Sequence, residues 1–399
     1  METLTFVMTS SFYPPYHIGG ACIFVKNLSE ELARMGHEVH VLHSLDAYGV
    51  KKKSYRATEE QGIQQGAVRT HVVKTPFNLS AYLSYALGSC SPIVKKFESL
   101  TKDVRPDVVH HHNISLLGHR ILRKLANYLN LYTAHDYWII CQQNDLIRQD
   151  SRICEAASCL FCALSQGRPP QLWRYGPGFR DSISQIDFLI APSNYLKRRI
   201  SEKIGFAKQV VIPNFVPEPP ERIPLRLPFR KFFLYAGRLE TYKGVLELLD
   251  VYRAIDAKLV IAGDGPLKDR VNAFINGHHL NERVAFLGHV DHTSLWPLLR
   301  NTDALIIPST CAENNPLIAL EALSVGTPVI ASNMGGLPEI IEKIDKSLIY
   351  DNHARLAQIL SDFDRTRYSS DDINMVYKRY YSPPAFMQQY LALVKQPRK

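Results

Sequence analysis

The residues best equipped for chemistry lie beyond position 230. Gly237-Arg238 and Lys243-Gly244 fall where an apolar, β-branched run gives way to a helical pattern, which places two permanent cations and two glycines at one strand-to-helix turn. Glycines let a backbone approach a ligand, a helix start offers unpaired N–H groups, and Arg and Lys neutralise oxygens; together this is phosphate-binding chemistry. Further on, Glu313-Asn314-Asn315-Pro316-Leu317-Ile318 opens another helical pattern, and Glu321 follows within it. Pro316 suits the first helical position, so Glu313 belongs to the loop, Glu321 to the second turn, and the N–H groups of Asn315–Ile318 face whatever Glu313 holds. Two carboxylates flanking a bare helix start can take sugar hydroxyls and a diphosphate side by side. Standing alone, they would equally suit a dipole-favoured acid and a surface glutamate. Gly263-Asp264-Gly265-Pro266 reads as a turn, and Gly335-Gly336-Leu337-Pro338-Glu339 as a turn into a helix.

The first half carries a histidine run and a cysteine cluster. His110, His111 and His112 stand at the carboxyl end of an expected strand, where parallel sheets present ligand-contacting groups. Side chains alternate faces along a strand, so one of His110 and His111 is expected to pack inward. Of seven cysteines, Cys141, Cys154, Cys159 and Cys162 fall close together on a polar, loop-like stretch. Cytosolic enzymes seldom use disulfides, so the cluster points to a structural zinc or iron–sulfur site. The spacing is not that of a standard zinc finger, and four unrelated thiols are the alternative. Cys22, Cys90 and Cys311 read as buried or near-site thiols.

These groups need a scaffold, and the pattern supplies one. Apolar runs of strand length alternate with helical patterns throughout, the signature of parallel α/β sheets. Strands are expected at Leu4–Thr9, Glu38–His43, Val68–Lys74, Asp107–His111, Leu131–Ala134, Asp187–Ala191 and Gln209–Ile212, with helices such as Ala21–Met35 and Ser115–Leu129 between them. Six prolines in 213–229 interrupt the alternation. It resumes with strands Phe232–Ala236, Lys258–Ala262, Arg283–Gly288, Ala304–Pro308 and Pro328–Ala331 and helices Gly244–Ile255, Pro266–Asn276, Leu295–Asn301 and Pro316–Val325. The reading is two doubly wound domains, 1–215 and 231–379, joined by a linker at 216–230. A last helix, within about 380–399, crosses back onto the first domain. The cleft between the two sheets is the default ligand site.

Composition agrees. With 399 residues, 46% apolar and 21% charged, and mean hydropathy −0.14, the chain is globular rather than disordered or fibrous. No spanning-length apolar run or signal-peptide pattern occurs, so the expected compartment is the cytoplasm. The net charge of +9 is uneven: residues 1–217 hold 25 basic and 17 acidic side chains, and 218–399 hold 22 and 21. Local clusters are Lys51, Lys52, Lys53 and Arg56, then Lys197, Arg198 and Arg199. Solvated surface explains any one of them; together they suit an anionic partner such as the inner membrane face. Without a nucleic-acid-binding motif, no nucleic acid is expected.

The ordered set Gly237-Arg238, Lys243-Gly244, Gly263-Asp264-Gly265-Pro266, Glu313 with Glu321, and Gly335-Gly336-Leu337-Pro338-Glu339 resembles the retaining glycosyltransferases of family 4, which have the GT-B fold. Gly19-Gly20, Asp107-Val-Val-His110-His111-His112, Ala191-Pro192-Ser193-Asn194 and Ile212-Pro213-Asn214 extend the resemblance over essentially the whole chain. It implies that the second domain binds a nucleotide-sugar, UDP-, GDP- or ADP-linked. Arg238 and Lys243 would clamp the diphosphate, helped by the N–H groups of Asn315, Leu317 and Ile318 at the helix start that Pro316 opens and by the Gly19-Gly20 loop, with Gly237 in the turn. Glu313 would hold donor-sugar hydroxyls, Glu321 the ribose, and His112 would lie beside the donor sugar. His135, Tyr137 and Trp138 would line the acceptor side, where aromatic rings can stack on a sugar. No cofactor or general base is demanded: the cations replace a metal, and a leaving-phosphate oxygen takes the acceptor proton.

The resemblance implies hexosyl transfer to a glycan, lipid-linked or small-molecule acceptor in surface-polysaccharide or glycolipid synthesis, at the membrane periphery or in the cytoplasm. A same-fold phosphorylase or epimerase, or a non-catalytic sugar-nucleotide-binding protein, is the alternative. Intact Arg238, Lys243 and Glu313 argue against the last. A nicotinamide-binding protein is disfavoured because no G-x-G-x-x-G follows the first strand.

Overall fold

A computed structural model describes residues 2–52, 64–65, 67–148, 153–155, 159–206, 208–221 and 227–396. Lys53 and Arg56 of the basic cluster, 222–226 of the expected linker and the last three residues lie outside the described residues. Strands β1 (Thr5–Thr9), β2 (Glu38–Ser44), β3 (Gln64–Gln65), β4 (Val68–Val73), β5 (Val108–His111), β6 (Leu129–Thr133), β7 (Phe188–Ala191) and β8 (Gln209–Val211) form one sheet in the order β3-β4-β2-β1-β5-β6-β7-β8. All its pairings are parallel except that of the two-residue β3. Strands β9 (Phe233–Ala236), β10 (Leu259–Ala262), β11 (Val284–Gly288), β12 (Ala304–Ile307), β13 (Val329–Ser332) and β14 (Ile349–Tyr350) form a second, wholly parallel sheet in the order β11-β10-β9-β12-β13-β14. Parallel strands covered on both faces must be apolar throughout, and Leu259, Val260 and Ile261 are fully buried.

This is the GT-B arrangement. Strand order reverses beside β1 in one sheet and beside β9 in the other, opening a crevice at the strands' carboxyl ends. The loops after β9 and β12 carry Arg238, Lys243 and Glu313; those after β1 and β5 carry Gly19, Gly20 and His112. The last helix, Pro383–Val394, packs on the first sheet, with Phe386 against Phe24 at 5.5 Å and Phe215 at 4.8 Å between ring centres.

One expected helix is absent. Ser115–Leu129 forms a single tight turn at His119–Leu122 before β6 begins. Gly118 sits at φ +87°, and a Cβ there would lie 2.5 Å from the Gly88 carbonyl oxygen, so the chain breaks direction where a helix would have to continue. Leu117, Ile121 and Leu122 are fully buried in this irregular crossing, so their apolar spacing reflects burial rather than a helical face. Elsewhere the helix Gly20–Arg34 follows the first strand as its pattern predicts, and the helix Leu317–Ser324 starts one residue after Pro316, which is its cap.

Candidate active site

The loop after β12 carries the central pair. The Lys243 ammonium lies 2.5 Å from Glu313 Oε1, to which Ser309 Oγ also donates at 2.7 Å and the Cys311 thiol at 3.8 Å. Burial pushes the Glu313 carboxyl up, but the Lys243 charge and these hydrogen bonds more than reverse it and hold it below its ordinary value. Burial lowers Lys243, and Glu313 outweighs that, leaving the ammonium above its usual value. Both groups are therefore charged at neutral pH. The contact places the expected sugar-holding carboxylate on the expected phosphate-clamping cation.

Backbone packing fixes Glu313. Gly335 at φ +66° lies so close beneath it that a Cβ would stand 2.2 Å from the Glu313 carbonyl oxygen, which only glycine allows. Gly336 N–H donates to that oxygen at 2.6 Å. Arg238 pairs with Glu240, and its side chain is 53% exposed. Glu321 accepts from His292 Nε2 at 2.9 Å, a contact that raises the His292 imidazole above its usual value.

The two halves meet through the same loops. Tyr137 OH donates to the Ala312 carbonyl at 3.0 Å, and Asn314 Nδ2 to the His135 carbonyl at 2.8 Å. Asn214 N and Nδ2 donate to Asn315 Oδ1 and its carbonyl at 2.9 and 2.8 Å. Leu317 lies 3.6 Å from where a Cβ on Gly20 would be. Glu339 reaches across to accept from the backbone N–H groups of Asn194 at 2.8 Å and Tyr195 at 2.7 Å and from Asn194 Nδ2 at 3.0 Å. It thereby caps the helix Asn194–Ile204, a role invisible in the turn-into-helix reading of its motif.

His110 and His111 on β5 and His112 just after it are all buried, contrary to the expectation of one open face. His110 bonds Tyr390 OH and Thr133 Oγ1 at 2.9 and 2.8 Å, and His111 bonds Thr9 Oγ1 at 2.8 Å. His112 Nδ1 meets His135 Nε2 at 3.1 Å, and its ring lies 4.0 Å from His110 and 6.2 Å from Phe24. Burial depresses all four, His111 and His135 to about 3, so these imidazoles are neutral.

The expected acceptor-side rings are core. Tyr137 and Trp138 are 2% and 1% exposed: Trp138 packs with Trp173 and Phe179 under the Arg174 guanidinium, and Tyr137 spends its hydroxyl on the interdomain bond. Neither ring is free to stack on a sugar.

The cysteine expectation meets a similar result. Cys141, Cys154, Cys159 and Cys162 line one pocket, yet among the described residues no group of three or more His, Cys, Asp or Glu side chains is placed to hold a metal ion. Burial pushes the Cys141 and Cys162 thiols up. As placed, the described side chains make no zinc or iron–sulfur ligand set.

Two facing doubly wound sheets with an acid–cation pair at the cleft define a GT-B transferase. Residues 18–218 match the model of glycosyltransferase family 4 and residues 221–367 that of glycosyl transferases group 1, so the chain belongs to this family and is an enzyme of the glycosyltransferase type. It is 27% identical over 390 residues to an uncharacterized glycosyltransferase of Methanocaldococcus jannaschii, covering 92% of each chain. It is 29% identical over 360 residues to a glycogen synthase of Mycobacterium tuberculosis, covering 84% of this chain and 79% of that one. Among solved structures, sucrose-phosphate synthase of Thermosynechococcus elongatus superposes with TM-score 0.74 at 19% identity over 98% of both chains. An Anabaena protein solved with UDP-glucose superposes with TM-score 0.64 at 15% identity over 99% of this chain and 100% of that one.

Proposed function

We propose that the protein is a retaining hexosyltransferase that moves a sugar from a nucleotide-sugar, UDP-linked in the first instance, to a glycan, lipid-linked or small-molecule acceptor in surface-polysaccharide or glycolipid synthesis. The observation that carries this is the charged Lys243–Glu313 pair on the switch-point loops. An arriving diphosphate competes for the Lys243 ammonium, and Glu313, its Oε1 still accepting from Ser309, is left to accept from a sugar hydroxyl. Arg238, on the half-exposed turn after β9, closes on the same phosphates. The bond from the anomeric carbon to the β-phosphate oxygen breaks, and the acceptor oxygen bonds that carbon on the same face. The acceptor proton passes to the leaving phosphate oxygen, and a nucleoside diphosphate departs. Arg238 and Lys243 stabilise its charge. His112 contributes through its backbone at the β5 terminus, its ring being sealed.

Similarity to a protein solved with UDP-glucose supports the choice of nucleotide. The domain division at 216–230 belongs to the same reading, with 231–379 as donor domain. Thermal-shift screening against UDP-, GDP- and ADP-sugars tests the donor: one nucleotide should stabilise the protein and also stabilise Glu313→Gln, which should nevertheless not transfer sugar. No shift with any nucleotide-sugar would sink the assignment. Turnover should survive EDTA; a requirement for added Mg²⁺ or Mn²⁺ would show that the two cations do not suffice.

A further inference from the structure

The cysteine pocket has a volume of about 350 Å³ and is walled by Cys141, Cys154, Cys159, Cys162, Ile147 and Phe161. That volume matches the lower end of organic-ligand cavities. Thiols behave as small hydrophobes, so with Ile147 and Phe161 they give the pocket an apolar side, while Gln142, Gln143, Arg148 and Ser165 complete its lining.

The surroundings continue the theme. Phe161, on the pocket wall, is 73% exposed, and Leu160 and Leu164 on its helix and Leu172 and Tyr175 on the following turn are also exposed. Cations stand beside it. Arg148 is exposed and lines the pocket, and Arg168 donates to Gln143 Oε1 on the wall. Lys51 lies within electrostatic reach of both Arg168 and Arg238, so positive charge runs from the pocket toward the donor loop. Gln143 is 7% exposed, and its Nε2 finds no hydrogen-bond partner among the described residues.

A pocket with an apolar side, an exposed Phe161 on its wall and adjacent cations calls for a ligand with a hydrocarbon part and an anionic head. We propose that this pocket receives the lipid of a lipid phosphate-linked acceptor, with Arg148 and Arg168 against the phosphate. This rests on the transferase reading and narrows its acceptor to one class.

Alkylation by N-ethylmaleimide, followed residue by residue by peptide mass spectrometry on the full chain, tests it without donor or turnover. Decyl phosphate below its micellar concentration, at ten times its dissociation constant, should slow labelling of Cys154, Cys159 and Cys162 by roughly tenfold. Decanol should protect less and inorganic phosphate not at all. Arg148→Glu, a change at an exposed position, should abolish protection by decyl phosphate while the nucleotide-induced thermal shift stays as in the wild type. Unchanged labelling with decyl phosphate overturns the proposal. So does protection by phosphatidylglycerol vesicles alone, which would mean a membrane surface rather than a lipid site, or one bound zinc per chain by elemental analysis. A failed nucleotide shift with intact thiol protection would instead count against the donor reading.

Discussion

Lys243 and Glu313 set each other's charge. Glu313 stays ionised in a buried position because the ammonium outweighs desolvation, so removing the cation does two things at once. Lys243→Ala deletes charge from the diphosphate site, which should lower kcat on the order of 10²-fold or more. It also leaves burial as the dominant influence on Glu313, whose carboxyl then rises above its ordinary 4.5. The acid limb of the pH–rate profile should therefore move to higher pH in Lys243→Ala. Steady-state rates between pH 5 and 9 check both effects, and an unshifted limb would show that the pair does not govern Glu313. The residue types for this pair were legible in the sequence, but their contact was not: 70 residues separate them, and no local pattern records that two loops of one switch point meet.

At the scale of elements, Glu339 links the two halves. Its carboxylate takes three hydrogen bonds at the start of the helix Asn194–Ile204, 145 residues upstream of it by the longest count. Charge-assisted bonds of this kind contribute about 1–3 kcal/mol together with the cap they make. Glu339→Ala should lower Tm by about 1–4 °C, since an unfolding entropy of about 2.1 cal/mol/K per residue over 399 residues makes each kcal/mol worth about 1.2 °C, and Glu339→Gln by less. Calorimetry reads this directly, and equal Tm values for wild type and Glu339→Ala would remove the interdomain role. The histidines at the ends of β5 and β6, His110, His111, His112 and His135, make a second element-scale case. Their folded-state values are depressed while unfolded histidines protonate near 6.5, so below that pH the unfolded chain binds more protons and stability falls as pH drops from about 6.5 toward 3. Tm should be flat from pH 8 to 7 and decline steeply below 6; a Tm constant down to pH 4.5 would contradict the buried, neutral assignment. Strands and their order of alternation were readable because covered parallel strands must be apolar along their whole length. The gap at Ser115–Leu129 and the burial of Tyr137 and Trp138 were not, because apolar spacing and an aromatic at a strand end look alike whether the neighbour is core or ligand.

For the molecule as a whole, charge is the remaining lever. Subtracting acidic from basic side chains gives +8 for residues 1–217 and +1 for 218–399, so the half that holds the lipid pocket is also the positive one. Among the described residues no helix is long and apolar enough to cross a membrane, which leaves surface attraction as the means by which charge would bring the protein to a bilayer. Such attraction between solvated charges decays over roughly 8 Å at physiological ionic strength, whereas an apolar chain seated in a pocket is barely screened. The two contributions should therefore separate in salt. Co-sedimentation with phosphatidylglycerol vesicles should be strong at low ionic strength and fall as salt rises, and neutral phosphatidylcholine vesicles should retain little protein at any salt. Protection of the pocket thiols by decyl phosphate should persist across the same series. Equal and salt-insensitive partitioning to both vesicle types, or none to either, would assign the basic excess to solubility alone and leave the cleft chemistry as it stands.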